Sequence, residues 1–268
     1  MNSYYSGNPT GEFLVPSTNH WWLRGDGLFE TLKTENGAIF FLDQHLARLV
    51  KSSKELLFEP VNINEIKARV QEVVERTSGV ERGRLRITLF PDSHFLISHE
   101  EAPLRTRPQK LLLAQKRRYS NSYLTGRKSL SYGEASFSAR LANQHGCDDL
   151  LFLNERDEIV ETGMANLLVE ERGIFYTPPL SSGCLPGIVR SVLLNWFSEV
   201  QEKVLTLEDL SRATGLYIIS SLREIDLVSE LHRHDSDQSD VQKFQISATA
   251  EKLRGDYLIN SRSVPKRN

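Results

Sequence analysis

Three short stretches of this 268-residue chain carry residue types that could do chemistry: "TGRKSLSYGEASF" at 125–137, "IVETGMANLL" at 159–168 and "CLPGIVRSVLLNW" at 184–196. In the last, Ile188, Val189, Val192, Leu193 and Trp196 recur at helical spacing behind Pro186 and Gly187. The reading is a helix whose glycine entrance leaves backbone N–H groups bare, as an anion site requires. A Pro-Gly corner also serves simply as punctuation. Lys128 follows a Thr-Gly turn, with Tyr132 four residues on. A sheltered lysine can lose its charge and act as an amine nucleophile or Schiff-base former, whereas a solvated one does neither. Glu161 closes the apolar pair Ile159-Val160, where an acid is either a solvated strand end or a buried partner for a cation.

Positioning these groups takes a scaffold, and its elements are readable. Residues 28–42 read as two strands around Asn36-Gly37, a dipeptide suited to hairpin turns. From Asp43, read as a cap, "DQHLARLVKSSKELLF" places Leu46, Leu49, Val50, Leu56 and Leu57 on one helix side; a second helix covers about 63–78 and "RLRITLF" alternates as a strand. A polar, proline-marked stretch near 102–125 reads as a boundary or linker, so the expectation is an N-terminal α/β lobe at 1–115 and a C-terminal lobe at 116–268. The second lobe reads as mainly strands: "DLLFLN", "IVETG", a hairpin in "ANLLVEERGIFYT" and a strand "GLYIISSLREIDLV", with helices at "EASFSARLANQHG", at the Pro186-Gly187 entrance and near 206–212.

Composition narrows the partners. With 39% hydrophobic and 25% charged residues and a net charge of -2, the chain is ordinary for a globular protein. Nothing in that balance points to nucleic acid or a membrane surface. Cys147 and Cys184 are the only cysteines, too few for a disulfide framework or a thiolate cage, and no metal site is expected. No apolar run approaches a membrane span and no export signal is visible, so the expected location is cytoplasmic.

Taken together and in order, the motifs resemble the class IV aminotransferases, the fold type IV enzymes that use pyridoxal 5'-phosphate. The resemblance runs through "GDGLFETL" (25–32), "FLDQHLARL" (41–49), "KSLSY" (128–132), "GCDDLLFLN" (146–154), "VETGMANLL" (160–168), "TPPLSSGCLPGIVR" (177–190) and "SSLREI" (220–225). It implies an α/β two-lobed fold with a strand-rich C-terminal lobe, and a homodimer acting on a small molecule. By the same resemblance, Lys128 is the Schiff-base lysine and the proton-moving base, Glu161 pairs with the pyridine nitrogen, and the N–H groups of Ile188 and Val189 behind Gly187 receive the phosphate. Arg48, Ser220 and Ser221 join the phosphate, Leu185 packs on the ring, and Asn166 belongs to the cofactor-binding set. Three departures stand out: Val189 where many relatives have Thr, Ser131 for the usual Asn, and Trp21-Trp22 where relatives have Asp-Arg.

For the reaction, the resemblance offers lyase or transaminase chemistry. D-amino acid aminotransferases carry an Arg-x-His pair after the strand matching "RLRITLF" and Tyr at Phe29; "PDSHFLISHE" has no arginine. "SSLREI" lacks the Gly-Thr-Ala-type stretch of branched-chain enzymes, and "TGMANLL" is closer to aminodeoxychorismate lyases, which make 4-aminobenzoate for folate synthesis. Lyase is therefore the first expectation, transamination of a branched-chain or D-amino acid the second, and a non-catalytic binder of a phosphorylated ligand the third. Substrate candidates are Phe29, Arg86 and Arg223; Tyr132 is open between cofactor contact and packing, and His45 is given no role.

Overall fold

The structure, a computed structural model, describes residues 3–6, 20–102, 104, 106–233 and 240–263. Its contacts separate two units: one runs as far as Leu104 and adds Arg127–Tyr132, and the other holds 105–126 and Gly133–Ser263. The lysine segment, expected with residues 116–268, thus groups with the first unit. The cause is backbone pairing. The Phe29 N–H donates to the Lys128 carbonyl at 2.8 Å, the Leu130 N–H donates to the Gly27 carbonyl at 2.8 Å, and Leu28 bridges Ser129.

The first unit contains β1 (Ser3–Tyr5), α1 (His20–Arg24), β2 (Leu28–Glu35), β3 (Ala38–Ile39), α2 (Leu42–Glu55), α3 (Ile63–Arg76), β4 (Arg82–Leu89) and β5 (Phe95–Glu101). The strands form one antiparallel sheet, ordered β1-β5-β4-β2-β3. Asn36 and Gly37 turn the β2–β3 hairpin with φ of 49° and 78°, the left-handed pair that a two-residue turn needs. Alternation along β2 and β4 sends Leu28, Leu32, Leu85, Ile87 and Leu89 into one core with Leu46 and Leu49 of α2 and Ile66, Val70, Val73 and Val74 of α3. Each of these side chains is almost fully buried and contributes about 1.5–3 kcal/mol. Glu30 lies on the same face; Phe29, Thr31 and Lys33 lie on the other, with Arg86 paired across from Thr31. Helix α3 is capped by Asn62, whose side chain accepts from the N–H groups of Asn64 and Glu65. Helix α2 is not capped by Asp43: it begins one residue earlier, behind Phe41 in a left-handed conformation, and Asp43 instead ion-pairs with Lys67 at 2.6 Å.

The second unit contains β6 (Gln109–Leu113), α4 (Gly133–Gln144), β7 (Asp149–Leu153), β8 (Ile159–Thr162), β9 (Asn166–Glu171), β10 (Ile174–Thr177), α5 (Ile188–Trp196), β11 (Val200–Glu202), α6 (Leu207–Arg212), β12 (Gly215–Ser220), β13 (Glu224–His232), β14 (Val241–Lys243) and α7 (Ala248–Ser263). Its sheet runs β11-β10-β9-β12-β13-β6-β7-β8, with β14 on β13. Two expectations change here. The stretch near 102–125 contains β6, an inner strand parallel to both β13 and β7, which short length and a preceding proline hid from the pattern. "GLYIISSLREIDLV" is two antiparallel strands, Ser220 facing Glu224, turned by a segment without glycine or proline and closed by Glu224 at φ 59°. Among the described residues, no helix is long and apolar enough to cross a membrane.

Candidate active site

In the first unit the chemistry gathers on Phe29. The Lys128 ammonium lies 4.4 Å from the centre of its ring, the Arg86 guanidinium 3.9 Å from the same ring, and Tyr132 meets it edge-on at 5.2 Å. Arg86 is half-buried and donates from Nε to the Thr88 hydroxyl at 3.3 Å; among the described residues it makes no ion pair. Burial lowers its pKa, the mark of a cation short of compensating charge.

On the opposite face of β2, Glu30 is 1% exposed and holds both neighbours on α2. Arg48 donates from Nε to Oε1 at 2.8 Å and from Nη2 to Oε2 at 2.5 Å, and His45 shares Oε2 through Nδ1 at 2.6 Å. Burial alone would raise the Glu30 carboxyl, but Arg48 and His45 outweigh it and hold the pKa down to about 2. Burial pushes His45 downward, so a neutral ring donates to the carboxylate. The sequence pattern gave Glu30 no prominence and His45 no role. The available signal was the i,i+3 spacing of His45 and Arg48 on the helix face that meets β2.

In the second unit Glu161, on β8, is gripped through its carboxylate. Oε2 accepts from Asn166 Nδ2 at 3.0 Å and from the Leu185 N–H at 3.0 Å, and Oε1 faces Arg118 Nη1 at 3.4 Å. Arg118 also stacks on Phe152 at 3.8 Å and donates to Glu134 at 2.8 Å; nothing in its motif had marked it. Asn166 donates a second bond to the Leu185 carbonyl at 2.9 Å. It therefore ties three of the expected residues, Glu161, Asn166 and Leu185, into one cluster. Gly187 completes it: a Cβ there would sit 1.9 Å from Asn166 Oδ1, so any side chain at 187 would push the Asn166 amide out of place. Gly187 is the N-cap of α5 without a side-chain cap bond, and Ile188, Val189 and Arg190 behind it are all buried. A buried helix entrance with no side chain to satisfy its N–H groups fits an anion. Ser220 closes the β12–β13 turn by accepting from the Arg223 N–H at 3.3 Å, Ser221 lies in that turn, and Arg223 reaches Asp226 at 3.5 Å. Trp21 stacks on Phe90 at 3.8 Å and donates to Asp92, which accounts for one of the departures at the chain's first lobe.

The family model described as "Amino-transferase class IV" matches residues 27–231. The chain belongs to the class IV aminotransferase family. Its enzymes are pyridoxal-phosphate-dependent, and this chain is one of them. Over 260 residues it is 28% identical to a Methanocaldococcus jannaschii protein named "Putative branched-chain-amino-acid aminotransferase", covering 89% of this chain and 88% of the relative. It is 24% identical to the aminodeoxychorismate lyase of Bacillus subtilis, covering 77% and 78% of the two. In fold it is similar to a branched-chain aminotransferase from Thermoproteus uzoniensis solved with norvaline, at a TM-score of 0.85, 22% identity and coverage of 97% and 94%. The fold type IV architecture read from the motifs is thus the observed one.

The residues present suit the family's cofactor. A primary amine beside an aromatic face suits its aldehyde, a doubly gripped carboxylate suits a ring nitrogen, and a bare buried helix entrance suits its phosphate. Among the described residues, no group of three or more His, Cys, Asp or Glu is arranged to hold a metal ion.

Proposed function

We propose that this enzyme eliminates pyruvate from 4-amino-4-deoxychorismate to leave 4-aminobenzoate. The observation that carries the reading is the amine of Lys128 and the guanidinium of Arg86, which makes no ion pair among the described residues, sharing the ring of Phe29. One is a base for the proton on the amine-bearing carbon; the other is a receptor for a carboxylate held beside an apolar ring. Such a pair suits a cyclic, carboxylated amine. The "TGMANLL" segment and the Bacillus subtilis relative support the same choice.

When bound, pyridoxal phosphate supplies an electron sink for the carbon that loses its proton. Lys128 anchors the cofactor and, as a free amine, takes that proton at Nζ. Glu161 places its carboxylate against the ring nitrogen, and its two N–H donors keep it aimed. Ile188 and Val189 offer backbone N–H groups to the phosphate, with Arg48, Ser220 and Ser221 as further donors and Leu185 against the ring. Arg48 gives its Nε and Nη2 donors to Glu30, which fixes the direction of the guanidinium. Phe29 in place of a tyrosine makes the surface under the substrate apolar. Arg223 is the second candidate for a carboxylate.

Transamination of a branched-chain amino acid is the second reading, favoured by the archaeal relative at 28% identity over most of both chains. It uses the same lysine, which would return the proton to the cofactor instead of releasing it. Incubation of the purified enzyme with 4-amino-4-deoxychorismate, and separately with leucine plus 2-oxoglutarate, distinguishes them. The lyase reading expects 4-aminobenzoate and pyruvate in the first reaction; amino-group transfer in the second without aminobenzoate in the first overturns it.

A further inference from the structure

Asp149, the first residue of β7, is a half-buried acid that none of the roles above uses. Its carboxylate points into the turn that joins β8 to β9. Oδ2 accepts the Met164 N–H at 3.1 Å, and Oδ1 accepts the Leu150 N–H at 2.9 Å. The approach is close enough to dictate a neighbour: a Cβ on Gly163 would lie 2.5 Å from Asp149 Oδ1 and 3.2 Å from the Ser138 Cβ. Thr162 ties the same turn from its other side. Its hydroxyl accepts the N–H groups of Ala165 at 3.0 Å and Met164 at 3.2 Å, and its own N–H donates to the Ala165 carbonyl at 2.9 Å.

The residues on either side of this turn are Glu161 and Asn166, which meet at 3.0 Å. Strand pairing is less regular on the Glu161 side: Asn166 pairs with Ile219 of β12, whereas β8 has four residues and its ladder with β7 shifts register between Leu151 and Leu153. Asp149 bridges β7 to the turn where that ladder is irregular. Burial raises its pKa, the expected cost of placing an acid there to hold backbone rather than solvent.

We propose that Asp149 is a positioning residue for the Glu161–Asn166 pair, fixing through the Met164 N–H and the bare Gly163 the turn that aims the Glu161 carboxylate. The proposal rests on the reading of Glu161 as partner of the cofactor's ring nitrogen. It extends the functional set to an acid that touches neither cofactor nor substrate.

The test compares the wild type with D149A, D149N and a control, L205A, which removes a fully buried core side chain of the same unit. Each protein is loaded with pyridoxal 5'-phosphate, and its visible absorption is titrated with pH; the affinity of the apoprotein for the cofactor is measured by fluorescence. Both D149A and L205A lower the thermal midpoint. Of these two, only D149A moves the absorption midpoint, upward by about half a pH unit or more, because a poorly aimed carboxylate favours the protonated ring less and the lost ring charge no longer depresses the titrating imine. It also weakens cofactor binding by about tenfold, the scale of lost supporting hydrogen bonds around a site. D149N keeps one acceptor oxygen and falls between wild type and D149A. If D149A does not fold, D149N alone carries the test, a smaller rise being expected. An unchanged midpoint in the folded Asp149 variants, or an equal shift in L205A, overturns the proposal while leaving the functional reading intact. A wild type without visible absorption overturns both.

Discussion

Replacing Glu30 with Gln is nearly isosteric and removes only the charge that Arg48 and His45 surround. Two independent routes give its size. A carboxyl whose pKa falls from 4.5 unfolded to about 2 folded contributes roughly 3 kcal/mol at neutral pH, at about 1.4 kcal/mol per unit. Breaking a buried ion pair by neutralising one partner costs about 3–5 kcal/mol, because the other charge is left uncompensated. The two agree. Because the folded pKa is the depressed one, this stability is fully present above the unfolded pKa near 4.5 and disappears as pH falls toward about 2. Urea denaturation of wild type and E30Q at pH 7 and near pH 3 measures the difference directly. The expected result is a gap of about 3 kcal/mol at pH 7 that narrows markedly at the lower pH. A gap below about 1 kcal/mol at pH 7, or one that does not change with pH, would refute the ion-pair account of this cluster.

Other substitutions and reagents probe the rest. Gly187→Ala forces a methyl group onto Asn166 Oδ1 and displaces a side chain that makes two hydrogen bonds, costing about 2–4 kcal/mol and most of the cofactor affinity; differential scanning calorimetry and cofactor titration read both. Arg86→Leu removes the guanidinium that lies over Phe29, so KM for a carboxylate substrate rises about 10- to 100-fold while cofactor absorption is unchanged; an unchanged KM removes Arg86 from the substrate set. Burial raises the thiols of Cys147 and Cys184 to about 11 and about 12, so neither reacts with a disulfide reagent at pH 8 until urea unfolds the chain. Rapid labelling of the native protein would contradict their buried placement.

The local backbone features around the candidate residues were legible because their needs are local. Gly187 ahead of an apolar helix, Lys128 after a Thr-Gly turn and the Asn36-Gly37 hairpin each announce a geometry within a few residues. What escaped was long-range. Glu30 is one polar position in an alternating strand, and its two partners sit 15 and 18 residues away; Arg118 meets Glu161 across 43 residues. Strand β6 lay in a stretch read as linker because its polar flanks outweighed five strand residues, and the β12–β13 turn carries neither glycine nor proline. The missing signals are ones that only a folded backbone brings together.

The central claim is that the amine of Lys128 holds a pyridoxal cofactor. Purified wild type loaded with pyridoxal 5'-phosphate should show a visible absorption band that borohydride reduction fixes covalently to Lys128, and Lys128→Ala should lack both band and adduct. A Lys128→Ala protein that keeps the band, or an adduct mapped to another lysine, would contradict the account.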